Sequence, residues 1–305
     1  MAWRAGLIIL LIFQGVFLRG QLVTEDYSFW EPADSLNRTR LNSVLITEGV
    51  LMAGTYAALG GLWYAEQGLG SFRTFDDSKN WLAVDKVGHS MTAYFVGDIG
   101  MSLLLWSGTS RKAAVWGGGT LGLVFLTGVE LFDGHAREWG FSWSDMAANV
   151  LGTGLLVGQE LLWQEQRITM KFSYHSTDYP QYNPALLGEN AYQSLLKDYN
   201  GHTYWLSFNI NSFTHWDAWP EWLNLAAGYG ADGMISAAYD PAIYAGSGPR
   251  WQRQFYLAPD IDLRKIKVKS GFLRTALHLL NYLKFPMPTL EINEKGAARF
   301  YPLYF

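Results

Sequence analysis

The chain has 305 residues, of which 49% are apolar and only 16% charged, and a formal net charge of −4. Soluble domains average about 25% charged residues, so this composition, with 14 Trp and 17 Tyr, suits a protein that meets a membrane, where those two side chains favour the interface. No basic block stands out, which argues against nucleic acid as a partner, and the lack of cysteine excludes disulfides, thiol catalysis, thiolate metal sites and a cysteine-borne lipid anchor.

Residues 1–20 read as a secretory signal. Arg4 opens the segment, residues 5–18 are apolar apart from Gln14 and two glycines, and Gly20 is a small residue before Gln21. The run is shorter than the ~20 residues a span needs, which favours a cleaved signal over a transmembrane helix. Leu18 departs from the small-residue rule three positions before that cleavage point. The remainder of the chain is expected outside the cytoplasm.

A polar segment over 21–40 leads into a helical domain expected over 41–165. Apolar stretches at 43–66, 85–107, 112–133 and 144–164 each suit a helix at ~1.5 Å per residue. They are dense in glycine, as at Gly97, Gly100, Gly117, Gly118 and Gly119. Such residues cost about 1 kcal/mol each in a soluble helix and let helix backbones approach closely. Each stretch carries a carboxylate, Glu48, Asp98, Glu130 or Asp145, costing about 2.5–3.5 kcal/mol at a bilayer centre. Two readings follow: spans with their charges facing a bundle interior, or a buried bundle in or against the periplasmic side of an outer membrane. The second is preferred.

From Arg167 the period changes from helical to two. Ile168, Met170, Phe172 and Tyr174 alternate with polar residues, as do Tyr204, Leu206, Phe208 and Ile210, and Phe255, Leu257, Ile261 and Leu263. Such alternation predicts strands with two unlike faces, and further strands are expected near 222–239, 288–294 and 297–305. The terminal Tyr301-Pro302-Leu303-Tyr304-Phe305 is similar to the last strand of an outer-membrane barrel, although Pro302 cannot donate to a ladder. Five to seven strands fall short of the eight with which bacterial single-chain barrels begin. The fold class is therefore α+β: a glycine-rich four-helix bundle, then an antiparallel sheet over 166–305, packed on the bundle or forming an incomplete barrel. One amphipathic helix, with Phe272, Leu273, Ala276, Leu277, Leu280 and Leu283 on its apolar side, interrupts the sheet over 270–285; it caps the sheet core or lies in a membrane interface. Residues 197–202 read as an Asn-Gly turn of type I′ entering a strand. Trp216, Trp219 and Trp222, with Pro220, mark an interface belt or core, with a sugar-binding platform as the alternative.

Polar residues gather at the predicted helix ends. Asp85 and His89 are i and i+4 on one face, with Lys86 between them; Glu130, Asp133 and Arg137 are i, i+3 and i+7; Asp145 and Asn149 are again i and i+4, after Ser144. If the helices run antiparallel, the end of the third meets the start of the fourth, and His89 comes within reach of Glu130, Asp133 and Asp145. Three roles are open: a buried network fixing helix register, general acid–base chemistry by His89 and the carboxylates Asp85, Glu130, Asp133 and Asp145, or a metal held by His89, Glu130, Asp133 and Asp145. Ser144 and Asp85 are also candidate helix caps. Which cofactor, if any, the chain takes is not named by its sequence.

Asp85-Lys86-x-x-His89, Glu130-Leu131-x-Asp133 and Ser142-Trp143-Ser144-Asp145 with Asn149 and following glycines resemble the YfiM-like family of predicted periplasmic lipoproteins of unknown function. The size of the chain and Gln21 resemble the longer versions of that family in Bacteroidota. A looser resemblance runs to VanZ-like membrane proteins. The resemblance covers about 84–160 and implies an envelope protein, with no established catalytic residues to carry over. The expected function is a structural or binding protein associated with the outer membrane from the periplasmic side. Its partners would be membrane lipid or an outer-membrane complex. The alternatives are an enzyme acting on an envelope lipid or glycan and a VanZ-like polytopic inner-membrane protein.

Overall fold

A computed structural model of the chain describes residues 29–64, 68, 70–137, 139–244 and 249–305. The signal segment predicted over 1–20 lies outside these residues. The chain is α+β, with helices in its N-terminal half and a six-stranded antiparallel sheet that does not close into a barrel. It forms two compact units: Met1–Asp77 with Thr92–Leu162, and Ser78–Met91 with Trp163–Phe305.

In the helical unit, α1 (Arg38–Ala58) starts earlier than its apolar pattern because Asn37 caps it, accepting the Arg40 N–H at 3.0 Å. The helix runs into a π-turn over Leu59–Tyr64. It is followed by α2 (Val84–Trp106), which begins in the other unit, and by α3 (Arg111–Gly117), α4 (Leu121–His135) and α5 (Trp143–Trp163). The single helix predicted over 112–133 is thus two, parted at residues 118–120. The break lets backbone pack on backbone: a Cβ on Gly118 would lie 2.3 Å from the Met101 nitrogen, and one on Gly122 would lie 2.2 Å from the Ala93 oxygen. Close approach of this kind is what small residues permit. Glycine density does not mean packing everywhere, since Gly54, Gly154 and Gly158 face open space. The Tyr56 hydroxyl ties α1 to α4 by donating to the Phe125 carbonyl at 2.7 Å.

Among the described residues, two segments, Arg38–Gly61 and Arg111–His135, are long and apolar enough to cross a membrane by length and composition. The second is broken at the turn just described, and the 15 residues of α4 give about 22 Å against a hydrocarbon core of about 30 Å. On α1, Leu45, Ile46 and Val50 are exposed by 52%, 66% and 64%.

In the sheet unit the strands follow chain order, β1 (Ile168–Tyr174), β2 (His202–Phe208), β3 (Leu223–Asp232), β4 (Gln252–Ile261), β5 (Met287–Asn293) and β6 (Ala298–Tyr304), each antiparallel to the next. Short helices α6 (Pro184–Leu187), α7 (Ala191–Lys197) and α8 (Ile210–Thr214) fill the connections, and α9 (Gly271–Leu280) lies between β4 and β5. The predicted Asn-Gly turn is a 3-10 turn over Tyr199–Gly201 instead, without positive φ at Asn200 or Gly201. Asn200 is held there by Asp198 and by the Met234 carbonyl, and those bonds override the local preference. Pro302 is accommodated because β6 is an edge strand whose pairing with β5 slips between Met287 and Thr289, the kind of irregularity that removes a demand for its N–H.

The two faces of this sheet are inverted relative to a soluble one. Along β3, Asn224, Ala226 and Gly228 are buried while Leu225 and Ala227 are exposed; along β4, Tyr256 and Ala258 are buried while Phe255 and Leu257 are exposed; along β5, Thr289 and Glu291 are buried while Leu290 and Ile292 are exposed. Contacts between strands that are not neighbours cross the buried face. Lys171 on β1 pairs with Asp260 on β4 at 2.7 Å, and Thr203 on β2 bonds Tyr304 on β6 at 2.9 Å. The sheet therefore curls around this face, which encloses both those polar groups and a cluster of Trp205, Ala226, Tyr256, Ala258 and Tyr304. Residues 282–284 cover the free edge of β1, exchanging hydrogen bonds with Phe172.

The segment that precedes α2 packs on this unit. Trp81, Leu82 and Ala83 have φ of 52°, 51° and 65°, a left-handed run that costs about 1–2 kcal/mol per residue. The Trp81 N–H donates to Ala237 at 2.7 Å and the Tyr229 hydroxyl donates to the Leu82 carbonyl, which offsets part of that cost. One turn into α2, a Cβ on Gly88 would lie 2.7 Å from the Tyr204 hydroxyl.

Candidate functional site

The helical unit brings the end of α4 to the start of α5, as the sequence predicted. Glu130 lies in the last two turns of α4 and is 1% exposed; its Oε2 accepts the Ser142 N–H at 3.1 Å. Ser142, not Ser144, caps α5: its Oγ accepts the Asp145 N–H at 3.0 Å. The same hydroxyl donates to Asp77 Oδ1 at 2.6 Å, and Ser144 Oγ donates to that oxygen at 2.8 Å. Ser142 takes the cap because α5 begins at Trp143, which leaves Ser144 inside the first turn. The segment before Asp77 is pinned by a parallel bridge between Thr74 and Phe141 and by the Phe75 N–H donating to Phe141 at 3.0 Å. Asp77 was missed in the sequence because it lies in a polar stretch with no periodic pattern; its one signal was the Asp76-Asp77 pair ahead of the next helix.

Of the other residues singled out, Asp145 and Asn149 are buried, one turn apart on α5. Asp133 is half-buried, three residues beyond Glu130. Arg137 is exposed and lies along Gly68 and Gly70. Asp85, Lys86 and His89 are on the first two turns of α2, within the stretch that groups with the sheet unit. Asp85 is inside the first turn rather than capping the helix; its Oδ1 accepts the Lys86 N–H at 3.0 Å and its Oδ2 pairs with Lys86 Nζ at 2.9 Å. Lys86 is itself buried.

Burial pushes the Glu130 carboxyl up from 4.5 to about 8; Asp145 raises it further, the Ser142 N–H opposes the rise, and Asp133 and Asp77 add to it. Glu130 is therefore largely protonated near neutral pH, a carboxylic acid rather than a carboxylate. Carboxylate oxygens of Asp145 lie within 4.8 Å of ones on Glu130 and on Asp77, an arrangement of oxygen donors of the kind that hard divalent cations take once the carboxyls have released their protons. The geometry suits a register-fixing network, proton exchange or a bound cation.

The sheet unit holds a second buried polar network. Asp260 bonds Ser207 at 2.6 Å and lies between Lys171 at 2.7 Å and Lys284 at 3.6 Å. Lys171 Nζ also donates to the Ile261 carbonyl at 2.7 Å. Burial lowers both lysines, Lys284 to about 8, against the attraction of Asp260. Arg264 and Asp262 extend the network to Thr169.

Residues 73–159 match a protein family described as "Predicted periplasmic lipoprotein (DUF2279)". That stretch contains α2 to α4, most of α5 and the polar residues from Asp77 to Asn149 described above, and leaves the Lys171–Asp260 network outside it. The match is consistent with an exported, envelope-associated protein and supports no specific activity. No curated protein and no solved structure matches the chain.

Proposed function

We propose that the chain is an envelope protein held at the outer membrane by the apolar face of its sheet, with a structural or binding role. The inversion of that sheet carries the reading. Leu225, Phe255, Leu257, Leu290, Ile292 and Phe300 are exposed by 41%, 47%, 49%, 37%, 44% and 63%, while the opposite face buries Lys171, Ser207, Asn224, Asp260 and Glu291 beside a core of Trp205, Tyr256 and Tyr304. In water such an arrangement leaves a continuous apolar surface of the kind that marks an interaction site. Apolar-out, polar-in alternation on antiparallel strands is the pattern of outer-membrane sheets. Four of the strands have 7 residues, fewer than the 9–11 a tilted spanning strand needs, and β3 and β4 have 10, so most of the sheet is too short to cross a bilayer.

Fractionation of the full chain tests this. The wild type is expected in the outer-membrane fraction and resistant to carbonate extraction, while Leu257→Lys with Leu290→Lys shifts it to the soluble fraction. Recovery of the wild type as a soluble protein refutes the reading.

A second reading is an enzyme acting on an envelope lipid or glycan through Glu130, Asp133 and Asp145. The protonated state of Glu130 at neutral pH favours it, because a general acid needs a pKa near the working pH. Glu130→Gln separates the two: loss of the cellular phenotype by a stably folded variant supports the enzyme, and retention sinks it.

A further inference from the structure

Residues 263–290 contain Arg264, Lys265, Lys267, Lys269, Arg274 and Lys284 and no acidic residue, in a chain whose net charge is −4. This is a basic block that composition alone conceals. It surrounds α9, which has no buried residue and is capped by Ser270, whose Oγ accepts the Leu273 N–H at 3.3 Å. Phe272, Leu273 and Leu280 on that helix, and Leu283 and Phe285 after it, are exposed by 59%, 43%, 51%, 52% and 49%. Ala276, Leu277 and Leu279 are half-buried, so the helix turns one side to the protein and leaves those five side chains uncovered.

We propose that this segment docks on a bilayer surface containing anionic phospholipid, its apolar side entering the headgroup boundary and its cations meeting lipid phosphates. The inference rests on the reading that the sheet unit meets lipid. Three observations support this occupant. First, the segment joins polar charge and exposed apolar side chains on one short amphipathic helix, the composition of interfacial helices. Second, the charge is divided by use. Arg264, Lys265 and Lys284 are engaged by Asp262, Glu165 and Asp260, whereas Lys267 is 87% exposed, with a loose 3.6 Å pairing to an exposed Glu221, and Lys269 is exposed. Third, tryptophans stand beside it. Trp222 lines an open depression of about 530 Å³ with Pro220, Glu221, Lys265, Ile266 and Lys267. Trp216 is exposed by 56% and Trp222 by 45%, the placement expected of an interfacial belt. An acidic protein groove would meet the same cations, but it would not call for exposed tryptophans next to the apolar strands.

The test is flotation of the purified full chain with vesicles of phosphatidylcholine alone and of phosphatidylcholine with 30 mol% phosphatidylglycerol. Partitioning is expected to be stronger on the anionic vesicles and to weaken with salt. Lys267→Gln with Lys269→Gln should reduce partitioning to the anionic vesicles about 30-fold, at about fivefold per cation, and leave binding to neutral vesicles unchanged. Phe272→Ser should weaken binding to both. Circular dichroism of each variant confirms that it folds. Equal partitioning of the wild type to both vesicles, or no loss in the double lysine variant, overturns the inference and leaves the membrane reading standing. Binding to neither vesicle overturns both. Binding to neither vesicle while an acidic polypeptide is retained in a salt-sensitive manner assigns the surface to protein.

Discussion

Replacing Glu130 by glutamine should change how stability depends on pH, with little effect on stability in acid. With the native carboxyl at about 8 against 4.5 for the free side chain, the folded chain holds a proton that the unfolded chain releases between those values. Stability from this group is complete below the unfolded value and falls as pH rises towards 8. Worked through the linkage relation, Glu130 costs the wild type about 2.5 kcal/mol between pH 5 and pH 7, and a further 1–1.5 kcal/mol or so by pH 9. Glutamine resembles the protonated acid and does not titrate. It can keep an oxygen directed at the Ser142 N–H, so Glu130→Gln should match the wild type near pH 5 and exceed it by about 2.5 kcal/mol at pH 7. Thermal unfolding of the two proteins in the same detergent at pH 5, 6, 7 and 8 measures the difference, in which other titrating groups cancel. At roughly 2–4 °C per kcal/mol, the midpoints should diverge by about 5–10 °C from pH 5 to 7. A constant difference across that range, or a variant that becomes weaker as pH rises, would refute the account of Glu130 as a neutral acid.

Three further outcomes follow from the packing. Lys171→Met removes one partner of a fully buried pair and leaves Asp260 with Lys284 at the longer distance; a loss of about 3–5 kcal/mol should appear in denaturant unfolding, partly restored in Lys171→Met with Asp260→Leu. Lys284, lowered to about 8, should make the sheet unit more stable as pH rises from 8 towards 10.5, because the unfolded chain then binds more protons than the folded one; Lys284→Met should flatten that rise in the same assay. Gly122→Val puts side-chain atoms where the Ala93 backbone already stands, and should prevent accumulation of folded protein, whereas Gly154→Ala, in open space, should raise the unfolding midpoint slightly through helix propensity.

Periodicity made the larger pattern legible. The four apolar stretches, the change to period two at Arg167 and the amphipathic helix all lie where side chains repeat. The break in the third stretch was not legible, because it depends on backbone contact between Gly118 and α2 rather than on local preference. In the site, Glu130 and Asp145 were found because a carboxylate in an apolar helix is costly unless it is used. Asp77 escaped because a carboxylate in a polar stretch carries no such signal. Capping by Ser142 rather than Ser144 turned on where α5 begins, which pattern fixes only to within a turn. The alternation in the strands located two faces and left open which was outside; burial of Lys171 and Asp260 against exposure of Leu257 decided it. The basic segment was hidden by the acidic remainder of the chain.

The claim that the apolar face of the sheet meets lipid is tested most directly by single labels along β4, which the cysteine-free sequence allows without background. Leu257→Cys and Ala258→Cys, each spin-labelled in the membrane-bound protein, should differ sharply: high accessibility to oxygen and low accessibility to a water-soluble relaxant at 257, and low accessibility to both at 258. Ready access of the water-soluble relaxant at 257 would place that face in water and contradict the account.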